Sequence, residues 1–111
     1  MKIITQDSFK EEVSKGVVVV DMYADWCGPC RALTPMLEEM DGKIENVTFT
    51  QLDTDEAMSV AEQKGVVSIP EEFEVTSIPT VIIFKDGKEF KRIIGLYPKS
   101  KYEEEIKSAF A

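Results

Sequence analysis

Apolar positions along the chain switch between two spacings, one of about 3.6 residues and one that is alternating or continuous. Lys2-Ile3-Ile4 predicts a short edge strand. Ser8 and Glu11 stand in capping-box spacing, and Phe9 and Val13 share a face, which predicts a first helix ended by Gly16. The β-branched run Val17–Tyr23 predicts a central strand buried on both faces. Leu33, Leu37 and Met40 recur at i, i+4 and i+7 and predict an amphipathic helix between Cys30 and Met40, kinked where Pro35 removes a donor. Val47–Leu52 predicts a strand, and Ala57, Val60 and Ala61 a short helix ending at Lys64-Gly65. Thr80–Phe84 and Phe90–Ile94 flank Asp86-Gly87, a strong hairpin signal. Pro98 opens a last helix with Tyr102, Ile106 and Phe110 on its buried face. The order β-α-β-α-β-α-β-β-α predicts a three-layer α/β fold with a mixed sheet. Its first half is a parallel crossover unit and its second half adds a hairpin. No linker or low-complexity segment interrupts the pattern, so residues 1–111 are expected to form a single domain.

One local repeat breaks the regularity. Glu62–Pro70 (EQKGVVSIP) runs directly into Glu71–Pro79 (EEFEVTSIP), with five of nine positions identical. Two copies of so short a unit cannot build a solenoid, and a tandem duplication within 62–79 explains them better.

Composition narrows the function classes. The chain is 43 % hydrophobic and 31 % charged, enough for one core and a polar surface. Thirteen Lys and Arg against 21 Asp and Glu give a net charge of −8, which argues against nucleic-acid or membrane partners. Met1–Lys10 lacks the apolar stretch of a leader, and runs such as Val17–Val20 are far too short to span a bilayer. A soluble, cytoplasmic, monomeric protein is expected. There is no histidine, so Ser-His and Cys-His pairs and His-ligated metals are excluded.

The only two cysteines, Cys27 and Cys30, sit where the buried strand passes into the following helix. That spacing at a helix start sets both sulfurs on one side of the first turn. Cys27 at or near the N-cap would have its thiolate stabilised by unpaired N–H groups and the helix dipole, whereas Cys30 is more enclosed. Cys27 is then the attacking nucleophile and Cys30 the resolving thiol, with a reversible Cys27–Cys30 disulfide. Pro29 stiffens the turn between them. Three alternatives stay open: a zinc site, which has too few ligands here; a static structural disulfide, which closes too short a loop to stabilise much; and two inert packing thiols.

Asp21-Met22-Tyr23-Ala24-Asp25-Trp26-Cys27-Gly28-Pro29-Cys30, the helix proline Pro35, Ser77-Ile78-Pro79-Thr80 before an apolar strand, and Gly95 after the last strand together resemble the thioredoxin family over essentially the whole chain. The resemblance implies a thioredoxin fold, a mixed sheet of about five strands flanked by about four helices. It implies a protein-disulfide reductase that binds no cofactor itself and draws electrons from NADPH through a flavin thioredoxin reductase. Its partners would be that reductase and disulfide-containing proteins.

Site residues follow from the same resemblance. Asp21 becomes a buried acid that accepts the proton of Cys30, a task no histidine is present to perform; the competing reading is a strand end where Asp meets solvent. Gln51 stands where many family members carry a lysine beside that acid. Trp26, Gly28, Pro29 and Gly95 belong to the substrate surface, and Tyr23 supports the core. Pro79, rather than Pro70, becomes the cis-proline, and Ile78 offers its backbone to a substrate chain. Nine residues then lie in excess ahead of Pro79, and Glu71, Glu72, Phe73 and Glu74 are expected to add negative charge and one apolar contact near Cys27. A binding module or accessory subunit on the same fold, with incidental redox activity, is the competing function.

Overall fold

Four consecutive valines and the residues after them become β2 (Val17–Tyr23), the middle strand of a five-stranded sheet. The computed structural model describes residues 1–111. On one side β2 pairs in parallel with β3 (Val47–Asp53), which pairs in parallel with the edge strand β1 (Lys2–Ile4). On the other side it runs antiparallel to β4 (Thr80–Lys85), which forms a hairpin with β5 (Lys88–Ile94). The spatial order is β1-β3-β2-β4-β5. β5 begins two residues earlier than the apolar pattern indicates, because charged Lys88 and Glu89 pair with β4 from the exposed side of an edge strand.

Strand periodicity sends alternate β2 residues to opposite faces. Val17 and Val19 meet α2 (Gly28–Asp41) and α5 (Lys99–Ser108) through Leu33, Leu37, Tyr102 and Ile106. Val18, Val20 and Met22 meet α1 (Phe9–Glu12), α3 (Thr54–Lys64) and α4 (Ile69–Glu72) through Phe9, Ala57 and Ile69. Asp21 therefore shares the α2 face with the Val17 and Val19 side chains. Pro35 lies inside α2 and cannot supply the N–H that would bond the Arg31 carbonyl.

The structure differs from the pattern at four further places. The helix count is five, because Ser68 accepts a hydrogen bond from the Glu71 N–H (3.2 Å) and caps α4, with Pro70 and two acidic residues in its first turn. Ser8 makes no side-chain cap; its Oγ instead accepts from the Thr5 N–H at 2.9 Å. Phe110 is 52 % exposed, because α5 ends at Ser108 and Ala109 takes the inward position that continues Tyr102 and Ile106. Phe73 is no surface contact near Cys27: its ring stands 5.4 Å from those of Phe9 and of Phe84, edge-on to the latter, closing a three-ring cluster under β4.

That cluster ties the repeated segment into the core. Phe73→Ala should cost about 2 kcal/mol, less than a fully buried phenylalanine because the ring is partly exposed. Urea unfolding reads it as a lower midpoint at an unchanged slope.

Candidate active site

Cys27 is the N-cap of α2, in extended conformation (φ −88°, ψ 110°), and its Sγ accepts from the Cys30 N–H at 3.2 Å. The helix thus begins on sulfur. Its first backbone N–H groups have no intrahelical acceptor and face the region where thiolate charge would develop. Cys27 and Cys30 are joined as a disulfide, with Cα atoms 5.3 Å apart. Both are covered, at 5 % and 2 % exposure, so the difference in enclosure between them is small in this oxidised form. Gly28 and Pro29 form the exposed turn between the cysteines.

Trp26 stands out from the surface at 69 % exposure. Its Nε1–H donates to Asp55 Oδ2 at 2.8 Å, which anchors the indole to the first turn of α3. Opposite lies the Ile78–Pro79 peptide, which is cis, whereas Pro70 is trans in the first turn of α4. The Pro79 carbonyl accepts from the Gly95 N–H (2.8 Å), and the Gly95 carbonyl accepts from the Tyr102 hydroxyl (3.0 Å). Gly95 holds φ +95°, a conformation an L side chain rarely adopts, and an added Cβ would meet the Tyr97 ring. Trp26, Asp55, Met58, Pro70 and Ile78 line one open groove of about 380 Å³. A second groove of about 300 Å³ reaches Cys30 past Tyr23 and Pro35, so half-buried Tyr23 borders the site as well as the core.

Asp21 lies beneath this surface with no exposure, and neither carboxylate oxygen has a hydrogen-bond partner. Burial pushes its pKa from the ordinary 3.8 up to about 7, since an ion there would lose its hydration. Its in-register neighbours are Gln51 on β3 and Val81 on β4, so no cation flanks it on the adjoining strands. A strand end in solvent is therefore not what Asp21 occupies.

The structure brings Trp26 and Ile78 to one groove and joins Pro79 to Gly95 directly. Two contributors escaped the sequence reading. Asp55 is 29 residues from Trp26, and no spacing links them. Tyr102 was legible as core, but nothing marked its hydroxyl as the group that holds Gly95. No group of three or more Cys, Asp or Glu side chains is placed to hold a metal ion, and no helix is long and apolar enough to cross a membrane.

Residues 1–108 match the family model described as Thioredoxin. The chain belongs to the thioredoxin family. Among similar thioredoxins, that of Chlamydia muridarum is 44 % identical over 99 residues, covering 89 % of this chain and 88 % of that protein. The thioredoxin of Staphylococcus haemolyticus is 39 % identical over 102 residues, covering 91 % and 89 %. In structure the chain is similar to oxidised mitochondrial thioredoxin 3 from Saccharomyces cerevisiae, with a TM-score of 0.80, 30 % identity and coverage of 97 % and 94 %. With a thioredoxin fold and a Cys27–Cys30 disulfide at the head of α2, the protein is a thiol–disulfide oxidoreductase acting on protein disulfides.

Proposed function

We propose that this thioredoxin-family protein works as a reductant of partner proteins, with Cys27 attacking, Cys30 resolving and Asp21 moving the proton. Cys27 thiolate displaces one sulfur of a substrate disulfide, giving a mixed disulfide and a substrate thiolate that takes up a proton. Asp21 carboxylate removes the Cys30 proton, and the new thiolate attacks Cys27 Sγ. That closes the Cys27–Cys30 bond and releases the second substrate sulfur as a thiolate, which takes the proton held by Asp21. Two electrons and two protons have then passed to the substrate.

The observation that carries this reading is the pairing of an N-capping cysteine, bonded to its neighbour one turn on, with a buried carboxyl on the same face of the sheet. A pKa near 7 leaves Asp21 able both to take a proton and to give it up at neutral pH. A substrate chain would lie along Ile78, adding its backbone as a strand does, between Trp26, Gly28 and Pro29 on one side and Pro79 and Gly95 on the other. The dithiol would be restored by a thioredoxin reductase carrying NADPH electrons through a flavin. The protein would act as a cytoplasmic monomer, one domain over 1–111 with a nine-residue tandem duplication inside 62–79.

Insulin reduction tests the activity. Catalytic amounts of the protein should accelerate precipitation of the insulin B chain in dithiothreitol, and should do so with NADPH and a thioredoxin reductase in its place. Folded, reduced protein that accelerates neither would overturn the reading.

A further inference from the structure

Beside the Trp26 groove lies a larger open cavity of about 610 Å³, walled by α3 and by the repeated segment. The two are continuous, because Met58, Pro70, Val75 and Thr76 line both. Met58, Val75 and Pro70 give the shared floor an apolar character. Glu62, Glu71 and Glu74 line the larger cavity, all three are exposed, and none takes part in an ion pair. Glu72, next in sequence, behaves differently: its carboxylate is 3.1 Å from Lys10 Nζ. Arg92 feels the Glu74 charge at longer range, but its guanidinium is already bound to Glu89 and to the Phe73 carbonyl.

Glu74 also sits at φ +54°, a left-handed conformation that costs a non-glycine residue about 1 kcal/mol. The three carboxylates are too dispersed to form a metal-binding cluster, so a cationic side chain suits them better than a bare ion.

From these observations we propose that the cavity is a specificity subsite for the disulfide-bearing partner: it takes a segment, next to the attacked cysteine, that pairs an apolar side chain with lysine or arginine. The proposal rests on the reductase reading and adds to it a substrate class. The apolar side chain lies on Met58 and Val75, continuing the path along Ile78. The cationic groups face Glu62, Glu71 and Glu74, which attract them and repel acidic segments. Exposed charges act mainly on encounter, so the selectivity is one of rate and is sensitive to salt.

Deleting Glu71–Pro79 is a poor test, since it also removes Phe73 from the aromatic cluster. Cleaner probes are three decapeptides that share one cysteine and one leucine and differ in flanking lysine, glutamine or glutamate, each carrying thionitrobenzoate on the cysteine as a mixed disulfide. Attack by Cys27 on the peptide sulfur releases the coloured thiolate, and Cys30 then frees the peptide. In about 0.01 M salt the reduced protein should favour the lysine over the glutamate peptide by roughly tenfold in the second-order rate constant of a single exchange, and lose that preference near 1 M, where screening shortens to about 3 Å.

The combined variant Glu62→Gln, Glu71→Gln, Glu74→Gln should cut the low-salt preference to roughly twofold. A variant of equal net charge, Glu38→Gln, Glu45→Gln, Glu104→Gln, which changes exposed carboxylates elsewhere, should keep it. If the intact protein shows no preference, or if both variants shift it equally so that overall charge is its cause, the subsite does not exist. If no peptide releases thiolate, the reductase reading itself fails, and with it the subsite.

Discussion

Cys30→Ser should leave a protein that attacks once and then stops. Cys27 keeps its place as the N-cap of α2, so its thiolate still opens a substrate disulfide. What disappears is the intramolecular second step. Well-oriented neighbouring groups act at effective concentrations of about 10⁵–10⁸ M, whereas external dithiothreitol is present at millimolar levels. Even a small part of that advantage makes the loss in insulin turnover on the order of 10³-fold or more. The stalled intermediate should accumulate, and intact-mass spectrometry should find the variant carrying its substrate through Cys27. Cys27→Ser should lose turnover equally and trap nothing, because Cys30 lies inside the first turn of α2 rather than at the N-cap where the thiolate is stabilised. Equal trapping by both variants would mean that the two sulfurs are interchangeable as nucleophiles, and the assignment of roles would fail. Undiminished turnover in Cys30→Ser would remove the dithiol mechanism altogether.

The part of this site carried by local spacing was legible before the fold was seen. Two cysteines three apart after a valine run place themselves at a helix start, whereas the place of Asp21 beneath them came from the family resemblance and not from spacing. What spacing cannot carry is a contact between distant segments. The Trp26–Asp55 hydrogen bond and the Tyr102 hydroxyl on Gly95 arise only once the helices have docked on the sheet. The repeated segment was legible as a repeat, and its glutamates are exposed as expected, but Phe73 was misread as a surface contact. Phe73 follows two glutamates in a stretch expected to be loop, yet it is the ring that completes a cluster with Phe9 and Phe84. The capping chemistry for α4 was present in Ser68-Ile69-Pro70-Glu71, and Ile69 and Phe73 have the i, i+4 spacing that marks α1, but the segment was read as a duplicated loop and its helix was missed. Phe110 failed for the opposite reason. Its spacing from Ile106 fits a continuing helix, and α5 stops two residues short of it.

Asp21→Asn should stabilise the protein, by an amount that depends on pH. In the unfolded chain the carboxyl loses its proton near 3.8, whereas in the folded protein it holds it to about 7. Between those values the folded state binds more protons, so raising the pH favours unfolding. The stability present below about 4 is lost as pH climbs to about 7, and no further loss follows above that. A shift of roughly three pK units corresponds to about 4 kcal/mol, an upper bound because some relaxation around the carboxylate is certain. The asparagine carries no charge to desolvate. Its advantage over the parent protein should therefore be near zero at about pH 4 and reach roughly 2–4 kcal/mol at pH 8 to 9. Urea unfolding of the oxidised forms across that range measures it. Catalysis should move the other way. With no carboxylate to take the Cys30 proton, resolution of the mixed disulfide slows, and the inflection near pH 7 that Asp21 gives to the turnover profile disappears. The combination is the diagnostic result. A merely structural acid would yield the gain in stability with the pH profile intact, and an Asp21 that was solvated in solution would yield neither.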